Sequence, residues 1–408
     1  MQRGLGWRFT CPPPTLKNLP KRGASSPQLN KILRELREKK VIEIAIRKPM
    51  HLARLKIVPK PNGDFRLILD VSKLNKFIKP LSYKLPKLSD LRAILPENAW
   101  LAKLDLKDAY HHIPIRKEFR PYLSFMWGSK VYWFRALPFG LSIAPAAFTG
   151  MMNPVHAAMR ERGISAIAYL DDWLFWSHSR KECSKAIDQA TSIFESMGWL
   201  INFEKSQITP SQRLVWLGVE WDSTSLMMRL PEGKCSELKD KAISCLESEA
   251  SSRRQIESLL GSMAFLAQFH EEAAFRKKCF SPILSEWPRN CSRDERIGLS
   301  ESSKEPLNWW CGQANLEEWW PIRKPEASEW IWADASTHGW GGHNVEGNWR
   351  VGRWSEEEAL LHINVLEIKA IHECVKASLI QDHSSVVAFT DNITALFAIN
   401  KMGSSRSR

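Results

Sequence analysis

Two adjacent carboxylates, Asp171 and Asp172, stand between two apolar runs at residues 164–170 and 173–176. This pattern predicts a strand, a tight turn and a second strand, with both acids at the tip of a β-hairpin. Two like charges held this close raise each other's pKa unless a cation neutralises them. Oxygen ligands on a rigid turn suit Mg²⁺, which fills its remaining positions with water and substrate phosphates. An isolated Asp-Asp pair is usually a solvated turn, so the surrounding chain must decide.

A third acid, Asp105, ends an apolar run that begins at Trp100 and predicts another strand. Three carboxylates from two neighbouring strands suit a two-metal centre, in which ions about 3.5–4 Å apart activate the attacking oxygen and stabilise the leaving one. Taken alone, Asp105 would be a strand-end turn residue. Asp108 lies three positions further on and points elsewhere, so we interpret it as structural.

Two cations flank a predicted hairpin upstream of these acids. Asn62-Gly63 between apolar runs is a hairpin signal, and Lys60 and Arg66 stand on its two arms. Such a hairpin would lay both cations over a triphosphate, because Arg contacts phosphate in a bidentate manner and Lys acts as a point charge. The alternative is that either residue is a solvated surface cation.

The charge of the chain favours a polyanionic partner. The formal net charge is +13, and the first 80 residues alone carry 19 Lys and Arg against 5 Asp and Glu. We expect a basic channel whose binding to nucleic acid weakens with salt. Residues 1–27 are predicted to form a loose, Pro-rich basic arm, and residues 28–46 a basic helix.

Three long segments in register resemble the reverse transcriptases of retroelements. LDLKDAY at 104–110 resembles the first catalytic motif, LPFGLSIAPAAF at 137–148 the template- and nucleotide-contacting motif, and YLDD at 169–172 the YxDD box. The similarity runs from about Leu55 to Asp222. It implies that Asp105 and Asp171 bind two Mg²⁺ ions, or Mn²⁺, with Asp172 assisting, and that Lys60 and Arg66 hold the nucleotide phosphates.

The resemblance also assigns two aromatic residues to the nucleotide site. Tyr110 matches the steric gate, a ring that clashes with a 2′-hydroxyl and so favours deoxynucleotides. Its alternative role is core packing. Phe139 occupies a place where retroviral enzymes tend to have Gln, a departure that resembles retrotransposon enzymes and removes a polar contact near the sugar.

A second acidic constellation begins at Trp330. Asp334 and Asp391 end predicted strands, and Glu367 lies on the apolar face of a predicted helix at residues 362–376, where an acid is costly unless it is paired or bound to metal. Order and setting resemble retroelement ribonuclease H, which implies that Asp334, Glu367 and Asp391 bind metal. The alternatives are two strand-end acids and a half-buried Glu. The family's later helices and fourth acid have no counterpart before Arg408, so we expect this activity to be lost.

The sequence therefore predicts a mixed α/β chain: a right-hand polymerase followed by a truncated ribonuclease H-like α/β domain. We expect the basic arm at 1–27, fingers and palm at 28–225, thumb and connection at 226–325, and the ribonuclease H-like region at 326–408. The predicted function is RNA-directed DNA polymerase, with template–primer and deoxynucleoside triphosphates as partners. HINVLE at 362–367 and KMG at 401–403 resemble DIRS-type retrotransposons.

Two other functions stay open at this point. A remnant that only binds nucleic acid would use the basic channel without catalysis, and an RNA polymerase would share the palm but accept ribonucleotides. Eight cysteines without a CxxC pair are interpreted as reduced thiols of an intracellular protein. No secretory signal or membrane span is expected.

Overall fold

The structure, a computed structural model, describes residues 4–14, 25–59, 63–268, 270–288, 291–312, 319–323, 326–377 and 385–400. Contacts within the chain divide it into two compact units, residues 1–217 and residues 218–408. The division lies close to residue 225, where the sequence predicts the end of the palm. All eight cysteines are free thiols.

The first unit alternates strands and helices. Its elements are α1 (Pro27–Glu38), β1 (Ile42–Ile44), β2 (Leu52–Pro59), β3 (Phe65–Asp70), α2 (Ser72–Asn75), α3 (Leu88–Ile94), β4 (Trp100–Asp105), two 3₁₀ helices (Ala109–His112 and Arg120–Leu123), β5 (Ser124–Trp127), β6 (Lys130–Phe134), α4 (Ala144–Glu161), β7 (Ser165–Tyr169), β8 (Asp172–Ser177), α5 (Arg180–Ser196), β9 (Gln207–Ser211) and β10 (Arg213–Trp216).

An antiparallel sheet in the order β7-β8-β4-β9 carries the three acids of the first unit. Strands β4 and β8 are almost continuously apolar because the sheet packs against α5. Trp173, Leu174 and Phe175 on β8 are fully buried. Truncating a buried Trp or Phe to Ala typically costs about 3–5 kcal/mol, so this packing fixes the strands from which the acids project.

A second sheet in the first unit has the order β1-β6-β5-β2-β3. Strands β2 and β3 form the predicted hairpin, from the pair Arg54 and Asp70 to the pair Pro59 and Phe65. Asp70 accepts from Lys56 at 2.8 Å and from the Ser72 hydroxyl at 2.7 Å, and these contacts hold its pKa at about 2. The hairpin is therefore anchored at its open end.

The second unit combines helices with strands that belong to several small sheets. Its elements are β11 (Val219–Asp222), β12 (Met227–Arg229), α6 (Glu232–Glu247), β13 (Ser251–Ser252), α7 (Arg253–Leu266), α8 (Glu271–Phe280), a 3₁₀ helix (Ser281–Glu286), β14 (Arg296–Ile297), α9 (Glu301–Cys311), β15 (Trp320–Pro321), β16 (Glu329–Ala335), β17 (Gly339–Asn344), β18 (Trp349–Arg353), α10 (Glu356–Ala359), α11 (Ile363–Lys376), β19 (Val386–Phe389) and α12 (Ile393–Asn400).

Helices α6 and α7 lie within residues 226–325, the range for which the sequence predicts a thumb and connection. The apolar stripe of α7 is buried, including Ile256, Leu259 and Met263. A capping box fixes its start, where the Ser252 hydroxyl accepts from the Gln255 N–H and the Gln255 side chain accepts from the Ser252 N–H. Such caps stabilise a helix by about 1 kcal/mol. The capping box therefore fixes Arg253 as the first residue of α7.

The sheet at the C-terminal end has the order β18-β17-β16-β19, with β16 and β19 parallel. Helix α11 packs on it through Leu366, Ala370 and Cys374. Gly342 allows this close approach, because a Cβ there would lie 2.3 Å from the Cys374 Sγ atom.

One predicted helix is shorter than expected. The helix predicted at residues 28–46 ends at Glu38, and residues 42–44 form β1, which pairs with β6. Lys40 adopts a positive φ of 58°, which ends the helix, and the alternating β-branched residues that follow favour a strand. In the described part of the chain, no helix is both long and apolar enough to cross a membrane.

Candidate active site

Asp105 and Asp172 are direct neighbours across the central strand pair of the first unit. Asp105 is the last residue of β4 and Asp172 the first of β8, and their Cα atoms are register partners. Side chains at such paired positions project from the same face of a sheet. Both residues are partly buried. The chain thus places two carboxylates side by side at one end of the sheet.

Asp171 lies in the tight turn of the predicted hairpin. Tyr169 pairs with Asp172, so Leu170 and Asp171 form a two-residue loop. Leu170 has a φ of 55°, a conformation that costs a non-glycine residue on the order of 1 kcal/mol or more. The Leu106 N–H donates to the Asp171 carbonyl at 3.0 Å. This bond ties the strained turn to the chain that follows Asp105.

The backbone around Asp105 is held from a third segment of the chain. Its N–H donates to the Ser206 hydroxyl at 3.0 Å, and its carbonyl accepts from the Asn202 N–H at 2.8 Å. The Ser206 hydroxyl in turn donates to the Asn202 carbonyl at 2.8 Å. The position of Asp105 is therefore fixed by β4, by the turn and by residues 202–206.

Burial raises the pKa of all three acids, and the charges of neighbouring acids add to the rise at Asp105 and Asp172. Burial and the charge of Asp171 raise the pKa of Asp105, and burial raises the pKa of Asp171. Burial raises the pKa of Asp172 to about 6, with Lys103 opposing and Asp105 and Asp171 adding to the rise. Carboxylates that resist ionisation in this way gain most from a cation, so the donor set fits a divalent metal.

Three residues of the expected nucleotide site adjoin these acids. The Arg66 guanidinium lies 5.1 Å from the centroid of the Phe139 ring, and that ring lies 4.9 Å from the Tyr110 ring. Burial and the charge of Asp171 raise the pKa of Tyr110 to about 12. The charge of Arg66 acts on Asp171 in the opposite sense. Arg66, the two aromatic rings and Asp171 thus form one cluster. Lys60 lies outside the described residues.

The loop that carries Phe139 is fixed by backbone contacts. The Leu69 N–H donates to the Phe139 carbonyl at 2.9 Å. The Asn75 side chain donates to the Gly140 carbonyl at 2.9 Å and accepts from the Ser142 N–H at 3.0 Å. Gly140 has a φ of 110°, and a Cβ there would lie 2.1 Å from the Leu69 carbonyl oxygen. The Asn75 side chain thus holds the backbone of this loop on both sides of Leu141.

A second acidic group lies in the second unit, where Asp334, Glu367 and Asp391 converge. Their ligand oxygen atoms all lie within 4.8 Å of one another. Asp334 is on β16, Glu367 is on α11, and Asp391 follows β19. Among the described residues, no other three His, Cys, Asp or Glu side chains form so tight a group. The acids of the first unit are adjacent but less closely gathered.

Glu367 is the buried member of this second group, with 4% of its surface exposed. Burial and the charges of Asp334 and Asp391 raise its pKa, and the Thr390 hydroxyl donates to it at 3.4 Å. A cleft of about 800 Å³ opens beside Asp334 and Asp391. A buried acid next to two others is stabilised by a cation or a proton, so this donor set also fits a divalent metal.

Comparison with known protein families identifies the kind of domain that contains the first site. The family described as reverse transcriptase (RNA-dependent DNA polymerase) matches residues 58–221, a range that includes every acid and ring described above for the first unit. The chain contains a reverse transcriptase domain.

Relatives of the reverse transcriptase domain occur in retrotransposon polyproteins. The Transposon Tf2-7 and Tf2-3 polyproteins of Schizosaccharomyces pombe are each 29% identical over 222 residues. That match covers 54% of this chain but only 16% of each polyprotein. The chain thus corresponds to a small part of the length of these relatives.

Solved structures show the fold around the reverse transcriptase domain. A foamy viral protease-reverse transcriptase in complex with an RNA/DNA hybrid has a TM-score of 0.65 at 18% identity, covering 96% of this chain and 51% of the other. The same protein in complex with double-stranded DNA has a TM-score of 0.61 at 18% identity, covering 98% and 81%. This likeness confirms the predicted mixed α/β polymerase fold.

Two residues of the reverse transcriptase domain that sequence reasoning missed adjoin Asp172. Lys103 on β4 supplies the cation that opposes the rise in the pKa of Asp172, and its ammonium also donates to the Val215 carbonyl at 3.0 Å. Trp216 on β10 is buried, and its side chain donates towards the Asp172 carboxyl. Because side chains alternate between the two faces of a strand, Lys103 lies on the same face of β4 as Asp105. Lys103 could have been predicted from this alternation in the sequence.

Proposed function

We propose that this chain is an RNA-directed DNA polymerase of a retrotransposon, adding deoxynucleotides to a primer 3′-hydroxyl. The observation that carries the proposal is the cluster of Asp105, Asp171 and Asp172 beside Arg66 and the paired rings of Tyr110 and Phe139. Acids that need a cation lie next to a phosphate-binding cation and a planar apolar surface. These features suit the joining of a nucleoside triphosphate to a primer.

The acids would hold two divalent ions, Mg²⁺ or Mn²⁺, with Asp105 and Asp171 as the principal ligands and Asp172 assisting. When bound, such ions supply activation of the primer hydroxyl and neutralisation of the charge that develops on the phosphates. The chain's own contribution is to fix the three carboxylates through paired strands and a strained turn. Preorganised charge of this kind needs no rearrangement during the reaction.

Arg66 would bind the triphosphate of the incoming nucleotide, with Lys60 as a second cation. The guanidinium is already oriented by the Phe139 ring, which reduces the entropy lost on binding. Tyr110 would lie under the sugar and exclude a 2′-hydroxyl, and Phe139 supports the Tyr110 ring from one side. Deoxynucleotide selection would follow from the shape of this aromatic pair.

The partners would be an RNA or DNA template with its primer and deoxynucleoside triphosphates. The foamy viral structures with similar folds contain an RNA/DNA hybrid and double-stranded DNA, and the net charge of +13 supports a polyanionic partner. The free cysteines support an intracellular location. The motif wording at residues 362–367 supports a DIRS-type origin.

The test of this proposal is primer extension on an RNA template, poly(rA) with oligo(dT), using dTTP and Mg²⁺. Template-dependent extension with dTTP and none with UTP would support it. Salt-sensitive binding without extension would favour a nucleic-acid-binding remnant. Extension with ribonucleotides as efficient as with deoxynucleotides would favour an RNA polymerase instead.

The acids of the second unit suggest a second candidate function. Asp334, Glu367 and Asp391 would hold divalent metal in the manner of ribonuclease H, with the cleft beside them receiving a nucleic acid strand. Incubating a labelled RNA–DNA hybrid with Mn²⁺ tests this function. Cleavage by the wild type but not by an Asp334→Asn variant would support it, and no cleavage by the wild type would contradict it.

A further inference from the structure

Residues 4–10 are integrated into the first unit, although the sequence predicted a loose arm. Leu5 forms a parallel bridge with Ile115, and Phe9 forms an antiparallel bridge with Ile78. The Arg116 N–H donates to the Leu5 carbonyl at 2.9 Å, and the Leu5 N–H donates to the Pro114 carbonyl at 2.6 Å. This segment therefore joins two separate parts of the first unit.

The docking of this segment depends on close packing. A Cβ on Gly6 would lie 2.5 Å from the Phe119 ring, and one on Gly4 would lie 3.0 Å from the Pro114 carbonyl oxygen. Trp7 packs on Phe119 with ring centroids 4.5 Å apart and is only 8% exposed. The fit of glycines and aromatic rings makes the segment a fixed wall rather than a mobile tail.

This wall borders a cleft of about 490 Å³. Arg8 comes from the segment itself, Lys79 follows α2, and Arg116 follows the 3₁₀ helix that carries Tyr110. All three are exposed, and no acidic side chain lines the cleft. Within the described part of the chain, none of these cations forms an ion pair, although the Arg116 Nε atom donates to the Gly4 carbonyl at 3.0 Å.

Trp7 provides an independent indication of a ligand. Its indole nitrogen is buried and has no hydrogen-bond partner among the described residues, and Trp7 lines the cleft. Buried donors are nearly always paired in folded proteins. A donor without a protein partner beside three cations without ion-pair partners indicates a surface completed by an acceptor-rich, negatively charged ligand.

We propose that this cleft binds the sugar–phosphate backbone of the unpaired template strand ahead of the incoming nucleotide. The proposal rests on the polymerase function proposed above. The primer ends at the catalytic acids, so the template is the strand that continues past them. Three cations at a cleft lined by the Trp7 and Phe119 rings suit a phosphodiester backbone and its bases.

The reach of the chain supports this assignment. Arg116 is six residues from Tyr110, so the cleft lies within about 20 Å of the nucleotide site along the backbone. At 3.4 Å per stacked nucleotide, that distance corresponds to roughly six template nucleotides. The neighbouring residues 15–24 are themselves basic in sequence, with Lys17, Lys21 and Arg22, and like charge disfavours them as occupants.

The experiment measures template–primer affinity by fluorescence anisotropy without metal, so that it does not depend on catalysis. The duplexes have the same paired length and carry an unpaired template strand of about two or about twelve nucleotides. These two lengths lie below and above the roughly six nucleotides that span the distance from the nucleotide site to the cleft. Wild type is compared with Arg8→Gln/Lys79→Gln, which leaves the Arg116 contact to the N-terminal segment intact. Lys181→Gln/Lys185→Gln, which removes two exposed lysines of α5, is the matched control.

We expect the Arg8→Gln/Lys79→Gln variant to lose about tenfold in affinity for the long overhang and nothing for the short one. For this variant, the slope of log Kd against the logarithm of the salt concentration should be smaller by about 1.4. The reason is that two phosphate contacts are lost, and each contact on a single strand contributes about 0.7. The α5 control should bind both duplexes like wild type. Equal losses on both overhangs, or no loss, would overturn the proposal.

Two further readouts separate the possible failures. A mononucleotide competitor tests whether the cleft binds a free nucleotide. If a low concentration of it abolishes the preference for the long overhang, the cleft is a free-nucleotide site and the strand assignment is overturned. Extension on the short overhang reports the polymerase function alone. If wild type bound the long overhang preferentially but extended neither duplex, the proposed function would fail while the cleft assignment stood.

Discussion

Asp105 and Asp172 face each other as register partners at the end of β4 and the start of β8. This pairing brings two carboxylates of the reverse transcriptase domain onto one face of a sheet, with Asp171 in the adjoining turn. The same geometry makes the metal-free site unfavourable, because burial and mutual repulsion oppose ionisation. The site therefore stores an electrostatic cost that a cation relieves.

Replacing Asp172 by Asn is expected to stabilise the metal-free protein. The pKa of Asp172 is raised to about 6, so between about pH 4 and pH 6 the folded state binds more protons than the unfolded state. The free energy of unfolding therefore falls as pH rises through this window and stays lower above it. At pH 7.5 we expect Asp172→Asn to unfold with a free energy higher by on the order of 1 kcal/mol.

Urea denaturation in EDTA at pH 4.5 and pH 7.5 measures this effect. The gain should appear at the higher pH and shrink at the lower one. Asp188→Asn, at an exposed position on α5, serves as the control and should change little. A loss of stability in Asp172→Asn at pH 7.5 would show that the carboxylate is already satisfied by its neighbours.

Arg66 is expected to act on nucleotide binding. Arg66→Lys keeps the charge but loses the bidentate fork and the packing on Phe139. We expect the KM for dTTP to rise roughly tenfold or more, as for a lost charge-assisted hydrogen bond, with a smaller change in kcat. Steady-state extension against dTTP concentration gives both parameters. Lys185→Ala is the control, and an unchanged KM in Arg66→Lys would remove Arg66 from the triphosphate site.

Tyr110 is expected to select the sugar through its ring and not its hydroxyl. The ring packs 4.9 Å from Phe139 and 5.7 Å from Phe148, so Tyr110→Phe should keep discrimination against ribonucleotides. Tyr110→Ala should reduce it by roughly a hundredfold. The measurement is the ratio of kcat/KM for dTTP and UTP on one template. Equal discrimination in Tyr110→Ala and wild type would make Tyr110 a packing residue.

Glu367 offers a metal-binding test of the second unit. In an Asp171→Asn background, which weakens the first site, Mn²⁺ should raise the Tm by a few degrees through Asp334, Glu367 and Asp391. Adding Glu367→Gln should abolish that shift while raising the metal-free stability, since the pKa of Glu367 is raised by burial. Retention of the Mn²⁺ shift in Glu367→Gln would place the ion elsewhere.

The sequence predicted the elements that hold the acids because each acid follows or interrupts an apolar run. The hairpin around Asp171, the strand ending at Asp105 and the helix carrying Glu367 are all present. Short-range patterns of this kind report burial directly. The contact between Lys103 and the Val215 carbonyl joins residues 112 positions apart, and no local pattern encodes such a pair.

The N-terminal region shows where local patterns mislead. Prolines and cations at residues 1–27 favour a loose arm, yet residues 4–10 dock because Gly4 and Gly6 permit backbone contacts with distant residues. Similarly, the helix predicted at residues 28–46 extends beyond the observed end of α1 at Glu38. Val41, Ile42 and Ile44 are β-branched residues that favour a strand. Tertiary pairing with β6 decided that segment.

The most direct test of the polymerase assignment is single-turnover incorporation of dTTP on poly(rA)/oligo(dT) by wild type and Asp171→Asn, with template–primer binding measured on the same samples. We expect Asp171→Asn to bind within a few-fold of wild type and to lose about three orders of magnitude in rate, because one of the proposed metal ligands becomes neutral. Incorporation by Asp171→Asn at the wild-type rate would contradict the assignment of the active site.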